Sequence, residues 1–267
     1  MATERWTVTG PQTIELDGVS ALSVRCVDGR VDVVAHDEPV TRIEVHSVDG
    51  RPLEVSLDDD GRLVVGHETL SGWKAFFENF SDFTGRARAD LQVAVPRGTP
   101  VSLGMVRGEA LLAGTSAKAR VHTVSGSALV TDVHGPLDVN TVSGEVTVRD
   151  LRGDIHANSV SADLTVTGVV PAVDISTVSG TVTLDLHEQP RTVRCNAVSG
   201  SFVIRVPDPG TVRAKLTGVG GRLVVGGVEA SGFGTKTLGA AAPAATTLEA
   251  NVVTGDVTVL GAPAGAR

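Results

Sequence analysis

Thr141-Val-Ser-Gly-Glu-Val-Thr-Val148 and Thr177-Val-Ser-Gly-Thr-Val-Thr-Leu184 decide the fold of this chain. They belong to a series in which Val-Ser-Gly, or a close variant, begins at Val106, Val124, Val142, Val160 and Val178, always 18 residues apart. Looser copies begin at Val198, Val219 and Val253, after insertions of 2, 3 and 16 residues. A constant stride of this length is the mark of a solenoid, each repeat one coil stacked on the last.

Stacking the copies on the Val shows what each position does. Four residues on stand Val146, Leu164, Val182, Phe202 and Val257, and six residues on stand Val148, Val166, Leu184, Ile204 and Val259. Three residues before it stand Val139, Ala157, Ile175, Cys195 and Ala250, and five before it Leu137, Ile155, Val173, Val193 and Leu248. Spacing of two within each group is strand alternation, so each coil holds two short strands with apolar faces turned inward. Gly at the second position after the Val (Gly126, Gly144, Gly180, Gly200, Gly221, Gly255) permits the turn, with Ala162 the exception. Two residues before the Val runs a polar column holding Asn140, Asn158, Asn196 and Asn251, read as a structural ladder of stacked amides. In this reading the Val is buried, the Ser faces out and the Gly turns.

The expected fold is therefore all-β, a single-stranded β-solenoid of the β-helix or β-roll type with coils of about 18 residues. A hexapeptide helix is disfavoured, because Lys118, Pro136 and Asp154 occupy positions where it wants apolar residues. The Gly-Gly-x-Gly-x-Asp run of a calcium-binding roll does not occur. A lone coil cannot bury enough to offset its ordering entropy, so the coils must stack and the ends need caps.

Around the repeat body (91–260), residues 1–90 read as a β-rich N-terminal section and 261–267 as a flexible tail. Residues 226–247 read as a long loop or irregular excursion. A second internal likeness, Leu91-Gln-Val93-Ala-Val95-Pro96-Arg97-Gly98-Thr99 with Phe202-Val-Ile204-Arg-Val206-Pro207-Asp-Pro-Gly210-Thr211, ends a strand in Pro both times. The pattern breaks at 66–90, where Trp73, Phe76, Phe77, Phe80 and Phe83 fall at helical spacing. The spacing predicts a short helical insertion, which either caps the solenoid or docks a partner, since so short a helix is not stable alone.

Composition narrows function. A net charge of −8 argues against nucleic-acid binding and against electrostatic attachment to anionic lipid. Nothing resembles a secretory signal or a membrane-spanning helix, which points to a cytoplasmic protein. Two cysteines are too few for a disulfide framework. No phosphate-loop, dinucleotide, zinc-protease or nucleophile-elbow motif is present, the seven His are scattered, and the repeat serines have no paired base. Neither catalytic residues, nor a cofactor, nor a metal site is expected.

Those same segments, with Val253-Thr-Gly-Asp-Val-Thr-Val259 and the strands ending at Val95-Pro96 and Val206-Pro207, resemble the bacterial putative-adhesin family of β-strand-repeat proteins, a LiaG-like domain of unknown function. The likeness covers roughly residues 20–260. It implies a β-solenoid without established catalytic residues, and a surface role. The function expected is a non-enzymatic scaffold or adhesin-like interaction module, bound to an unknown protein partner or to itself. A self-assembling bactofilin-like polymer and a carbohydrate-binding or polysaccharide-active β-helix are the alternatives.

Overall fold

The computed structural model describes residues 4–67, 87–241 and 244–262. The aromatic segment with Trp73, Phe76, Phe77, Phe80 and Phe83 lies outside the described residues, and so does the tail from 263. The described residues form strands throughout, interrupted by one 3-10 turn at Pro209–Thr211. Contacts divide the chain into two compact units, 1–129 and 130–267.

In the second unit, β13 (Leu137–Arg152), β14 (Ile155–Val169), β15 (Ala172–Leu186) and β16 (Thr192–Val206) pair in parallel, each one coil long. The register sets Val139, Ala157, Ile175 and Cys195 in one column, and Val146, Leu164, Val182 and Phe202 in another, all buried. An 18-residue stride delivers this because residues one stride apart must face each other for every backbone N–H to find a carbonyl. Cys195 is a free, buried thiol in such a column, and burial raises its pKa.

Stacking order then departs from chain order. Beyond β16 lies the last coil in sequence, β21 (Thr246–Val252) with β22 (Val257–Gly261), each parallel to β16. On its far side sit β17 (Val212–Gly218) and β18 (Arg222–Val225). The C-terminal coil is thus an interior rung. Residues 226–247 are not an irregular excursion, because β19 (Val228–Ser231) forms a hairpin with β18 and β20 (Gly234–Gly239) runs antiparallel to β17. Gly226 and Gly227, both at positive φ, make the two-residue hairpin turn.

The first unit repeats the device. Its strands are β1 (Glu4–Val8), β2 (Gln12–Leu16), β3 (Ala21–Cys26), β4 (Asp28–His36), β5 (Thr41–Gly50), β6 (Leu53–Leu57), β7 (Arg62–Gly66), β8 (Ala87–Pro96), β9 (Val101–Met105), β10 (Glu109–Ala113) and β11 (Ala119–Thr123), and β12 (Ser127–Val133) follows them in the chain. One face runs β1, β6, β7, β3, β9, β11 and the other β2, β5, β8, β4, β10. The β3–β4 coil therefore lies between β7–β8 and β9–β10, which are consecutive in sequence. The antiparallel strands β5 and β6 break the parallel stack on one side of β7–β8, with β1 and β2 outside them.

The two Pro-terminated strands mark the two places where the chain steps over an inserted coil. β8 ends at Pro96, Arg97 N donates to His36 O of the inserted coil (3.0 Å), and Leu22 N donates to Pro100 O (2.9 Å). After β16, Asp208 caps the 3-10 turn through Gly210 N (2.8 Å), while Ala262 N of the inserted coil donates to Val206 O (3.0 Å). Reaching two rungs away means crossing roughly 10 Å instead of roughly 5 Å. Pro lacks the N–H that would continue the ladder, so it releases the chain into that crossing.

Two outcomes follow from this architecture. A chain ending at Gly239 loses an interior rung, leaving β17–β20 with no partner toward β16. Limited proteolysis should then cut rapidly between Pro207 and Gly239, whereas loss of a mere end rung would leave that region protected. His67, just after β7, is buried with neither ring nitrogen hydrogen-bonded among the described residues, and burial lowers its pKa to about 4 from 6.5. Below pH 6.5 the unfolded chain binds a proton that the folded chain refuses, so stability falls as pH drops toward 4. Chemical denaturation at pH 7 and pH 5 should show a loss of about 2 kcal/mol that His67→Leu removes.

Candidate interaction surface

Alternation alone fixes which way the repeat valine points. Positions five, three and one before it face inward, so the Val itself faces out. Thr141, Thr177, Ala197 and Val252, one residue before it, are buried. The valines are not buried in the second unit: Val160 and Val178 are each 47% exposed, Val198 50%, Val253 45% and Val219 57%. This corrects the buried-Val reading, which overlooked the parity of its own columns. In the first unit, by contrast, Val106 is buried and packs with Val27 and Ala87.

Each neighbour of the Val has a task at the corner. Thr177, buried ahead of it, donates its hydroxyl to Ser179 O (2.7 Å) across its own turn, and Ser159 Oγ donates to Thr177 Oγ1 (2.7 Å). The residue after it bonds the previous coil: Ser179 Oγ to Val160 O (3.2 Å), Thr254 Oγ1 to Val198 O (3.3 Å). Gly180 has φ +117, and a Cβ there would lie 2.3 Å from Ala162 O of the previous coil. Glycine is therefore needed both for its backbone angle and for the approach.

The Asn column lies beside the valines. Asn158 Nδ2 donates to Asn140 Oδ1 (3.1 Å), Asn196 Nδ2 to Ser176 Oγ (3.3 Å), and Asn251 Nδ2 to Asn196 Oδ1 (3.0 Å). Asn251 reaches Asn196 only because the last coil lies next to β16.

Hydrogen bonds order the exposed valines into one row. Val160, Val178 and Val198 lie on adjacent strands β14, β15 and β16. Val253 N donates to Ala197 O (3.1 Å) and Val219 N to Val253 O (3.2 Å), extending the row to five consecutive rungs at roughly 4.8 Å each. Phe233, 83% exposed, stands one residue beyond the Gly218–Gly234 pair and so at the level of Val219 on the next strand. From two residues before each Val to two after, no coil from Asn140 onward carries a charged side chain. Sequence reasoning noted these valines but misjudged their direction, and left Phe233 in a loop.

No group of three or more His, Cys, Asp or Glu among the described residues could hold a metal ion. Among them no helix is long and apolar enough to cross a membrane. The Toastrack DUF4097 family profile matches residues 19–260. The chain belongs to that family. No curated protein matches it.

Solved structures similar to this Toastrack chain include a "putative cell adhesion protein" from Clostridium sporogenes ATCC 15579, 11% identical, with 94% of this chain and 100% of that one covered and a TM-score of 0.31. A "putative adhesin" from Parabacteroides merdae ATCC 43184 is 12% identical, with 97% and 96% covered and a TM-score of 0.37. A "putative lipid binding protein" from Parabacteroides distasonis ATCC 8503 is 8% identical, with 94% and 97% covered and a TM-score of 0.37.

Direction of the valines has a simple test. Val178→Thr should change stability by no more than about 0.5 kcal/mol, as surface substitutions do. Val182→Thr, which puts a hydroxyl into the core, should cost about 1–3 kcal/mol. Equal costs in denaturant melts would contradict the outward assignment.

Proposed function

We propose that the chain is a non-enzymatic β-solenoid scaffold, an adhesin-like interaction module whose working surface is the valine row and whose partner there is a second copy of itself. The observation that carries this reading is an uncharged strip with exposed Val160, Val178, Val198, Val253 and Val219, ending in Phe233.

Spacing favours a second copy as the occupant. Side chains repeating at roughly 4.8 Å keep van der Waals contact along their length only with a surface of the same repeat, and another stacked β-edge has it. Charge favours it too. Copies that each carry −8 repel over most of their surface, while this strip opposes no like charges. Phe233 supplies the kind of aromatic anchor on which interface energy concentrates.

Side-by-side contact is favoured over an end-to-end, bactofilin-like polymer. The antiparallel strands β5–β6 and β20 interrupt the parallel register that identical ends would have to continue. A catalytic reading finds little support along the strip, whose side chains are Val, Ser, Thr, Asn and Ala, with several hydroxyls and amides committed to neighbouring coils.

Sedimentation velocity over a range of concentrations tests the proposal. The wild-type mass should rise toward a dimer, and Val178→Asp with Val198→Asp should remain monomeric with a melting temperature within a few degrees of wild type. A mass that never rises sinks the second-copy assignment, as does binding to neutral-lipid vesicles in place of self-association. Long filaments would favour the end-to-end polymer.

A further inference from the structure

The exposed valines share a face of the second unit with a row of charges. On each strand the outward positions two and four residues before the Val lie on the straight stretch ahead of the glycine corner, roughly 7 and 13 Å from the Val. Two before it runs the polar column that holds the Asn ladder. Four before it, strand register sets Asp174 on β15 beside Arg194 on β16, Arg194 beside Glu249 on β21, and Glu249 beside Lys215 on β17. In stacking order these charges alternate: minus, plus, minus, plus.

Such a row has a direction-dependent fit to itself. Laid over a copy running the same way, it opposes like to like. Reversed about its middle, it opposes every charge to its opposite. That middle falls between Arg194 and Glu249, on the neighbouring strands β16 and β21. The apolar row has the same middle, with Val160, Val178 and Val198 on one side and Val253, Val219 and Phe233 on the other. Two rows of unrelated chemistry thus share one centre.

We propose that two copies pack face to face on these rows, about a two-fold axis along the strands between β16 and β21, with their stacks pointing in opposite directions. This rests on the second-copy reading above and adds the geometry of the contact. Such an axis keeps each row over its own counterpart and reverses its order. Asp174 then faces the partner's Lys215, and Arg194 the partner's Glu249, each contact occurring twice. Val198 meets the partner's Val253, Val178 the partner's Val219, and Val160 the partner's Phe233. In the column between, Asn196 meets the partner's Asn251 and Ser176 the partner's Thr217, so hydrogen-bonding side chains oppose one another. His156, beside Asp174, comes over the partner's Thr237, which stands beside Lys215.

A two-fold axis along the stack fails where this one succeeds. It exchanges the two sides of the face and sets the valines of one copy over the charges of the other, where ions would lose water without a partner. Contacts within the chain do not use up these charges. Arg194 Nε lies 3.9 Å from Glu249 Oε2, both side chains more than half exposed, and His156 Nδ1 lies 3.6 Å from Asp174 Oδ2. Pairs so open contribute little within one chain and can engage a facing copy. The valines supply the contact, and the charged row sets its direction.

Sedimentation velocity of two single variants of the full chain, alone and mixed, tests the geometry. Asp174→Lys puts a cation against the partner's Lys215, and Lys215→Glu puts an anion against the partner's Asp174. Each variant alone should dimerise about tenfold more weakly than wild type, or worse, at low salt. Mixed in equal amounts they should recover wild-type affinity to within about threefold, because each chain then offers the other its missing opposite. Effects within a chain cannot mimic this recovery. Asp174 and Lys215 stand three rungs apart, roughly 14 Å, and mixing leaves every in-chain neighbour unchanged. Oxidative cross-linking gives a second readout. Val178→Cys mixed with Val219→Cys should form a disulfide, and Val178→Cys alone should not, since the two copies of that position lie roughly 14 Å apart, beyond a disulfide's reach. A wild-type dimer whose charge variants show no recovery on mixing, or whose Val178→Cys chains link to each other, overturns the opposed geometry and leaves the second-copy reading standing. A wild type that stays monomeric removes both.

Discussion

Every coil in this protein must hand its backbone hydrogen bonds to a coil on either side, and that single requirement sets the rest. It fixes the spacing at roughly 4.8 Å. It also forbids a Cβ at Gly180, where the previous coil's carbonyl already sits. Identical spacing brings like residues into columns, so amides bond amides and apolar side chains meet apolar side chains. The Asn158–Asn140 and Asn251–Asn196 contacts are products of that alignment.

A stack built this way has a weakness at its ends, where unpaired strands invite further strands. The chain deals with this twice by the same route. In each unit a segment nearer the terminus is threaded between coils that follow one another in sequence: β3–β4 in the first, β21–β22 in the second. Antiparallel strands then interrupt the parallel register. A segment that would otherwise fray is held by hydrogen bonds on both sides, so losing it removes the middle of a unit.

The same lattice displays two surfaces of opposite chemistry. Where a corner valine faces out on successive coils, the result is a continuous apolar row. Where Gly104 stands between Arg25 and His122 on adjacent strands, the result is a trough between longer polar side chains. Neither depends on irregular loops. Each arises because stacking converts a choice made once per coil into an extended surface feature.

The sequence by itself determined the all-β solenoid, its 18-residue stride, the inward columns and the turn glycines, because hydrogen-bond register and side-chain alternation are periodic and leave a periodic trace. The outward direction of Val160 and Val178 was also legible in principle, from the parity of Ile155 and Ala157 or of Val173 and Ile175. Residues 226–247 were harder, since a short antiparallel hairpin of small residues carries no repeat. Which coil lies against which was decided only by the tertiary structure. Coils of one spacing and one set of apolar columns are interchangeable neighbours, so the stride does not say that Val253 stands between Val198 and Val219. The placing of Arg25 and His122 on either side of Gly104 was equally hidden, because those residues are joined by strand register and by no pattern along the chain. Pairing between distant strands is a long-range choice, and only the folded stack makes it.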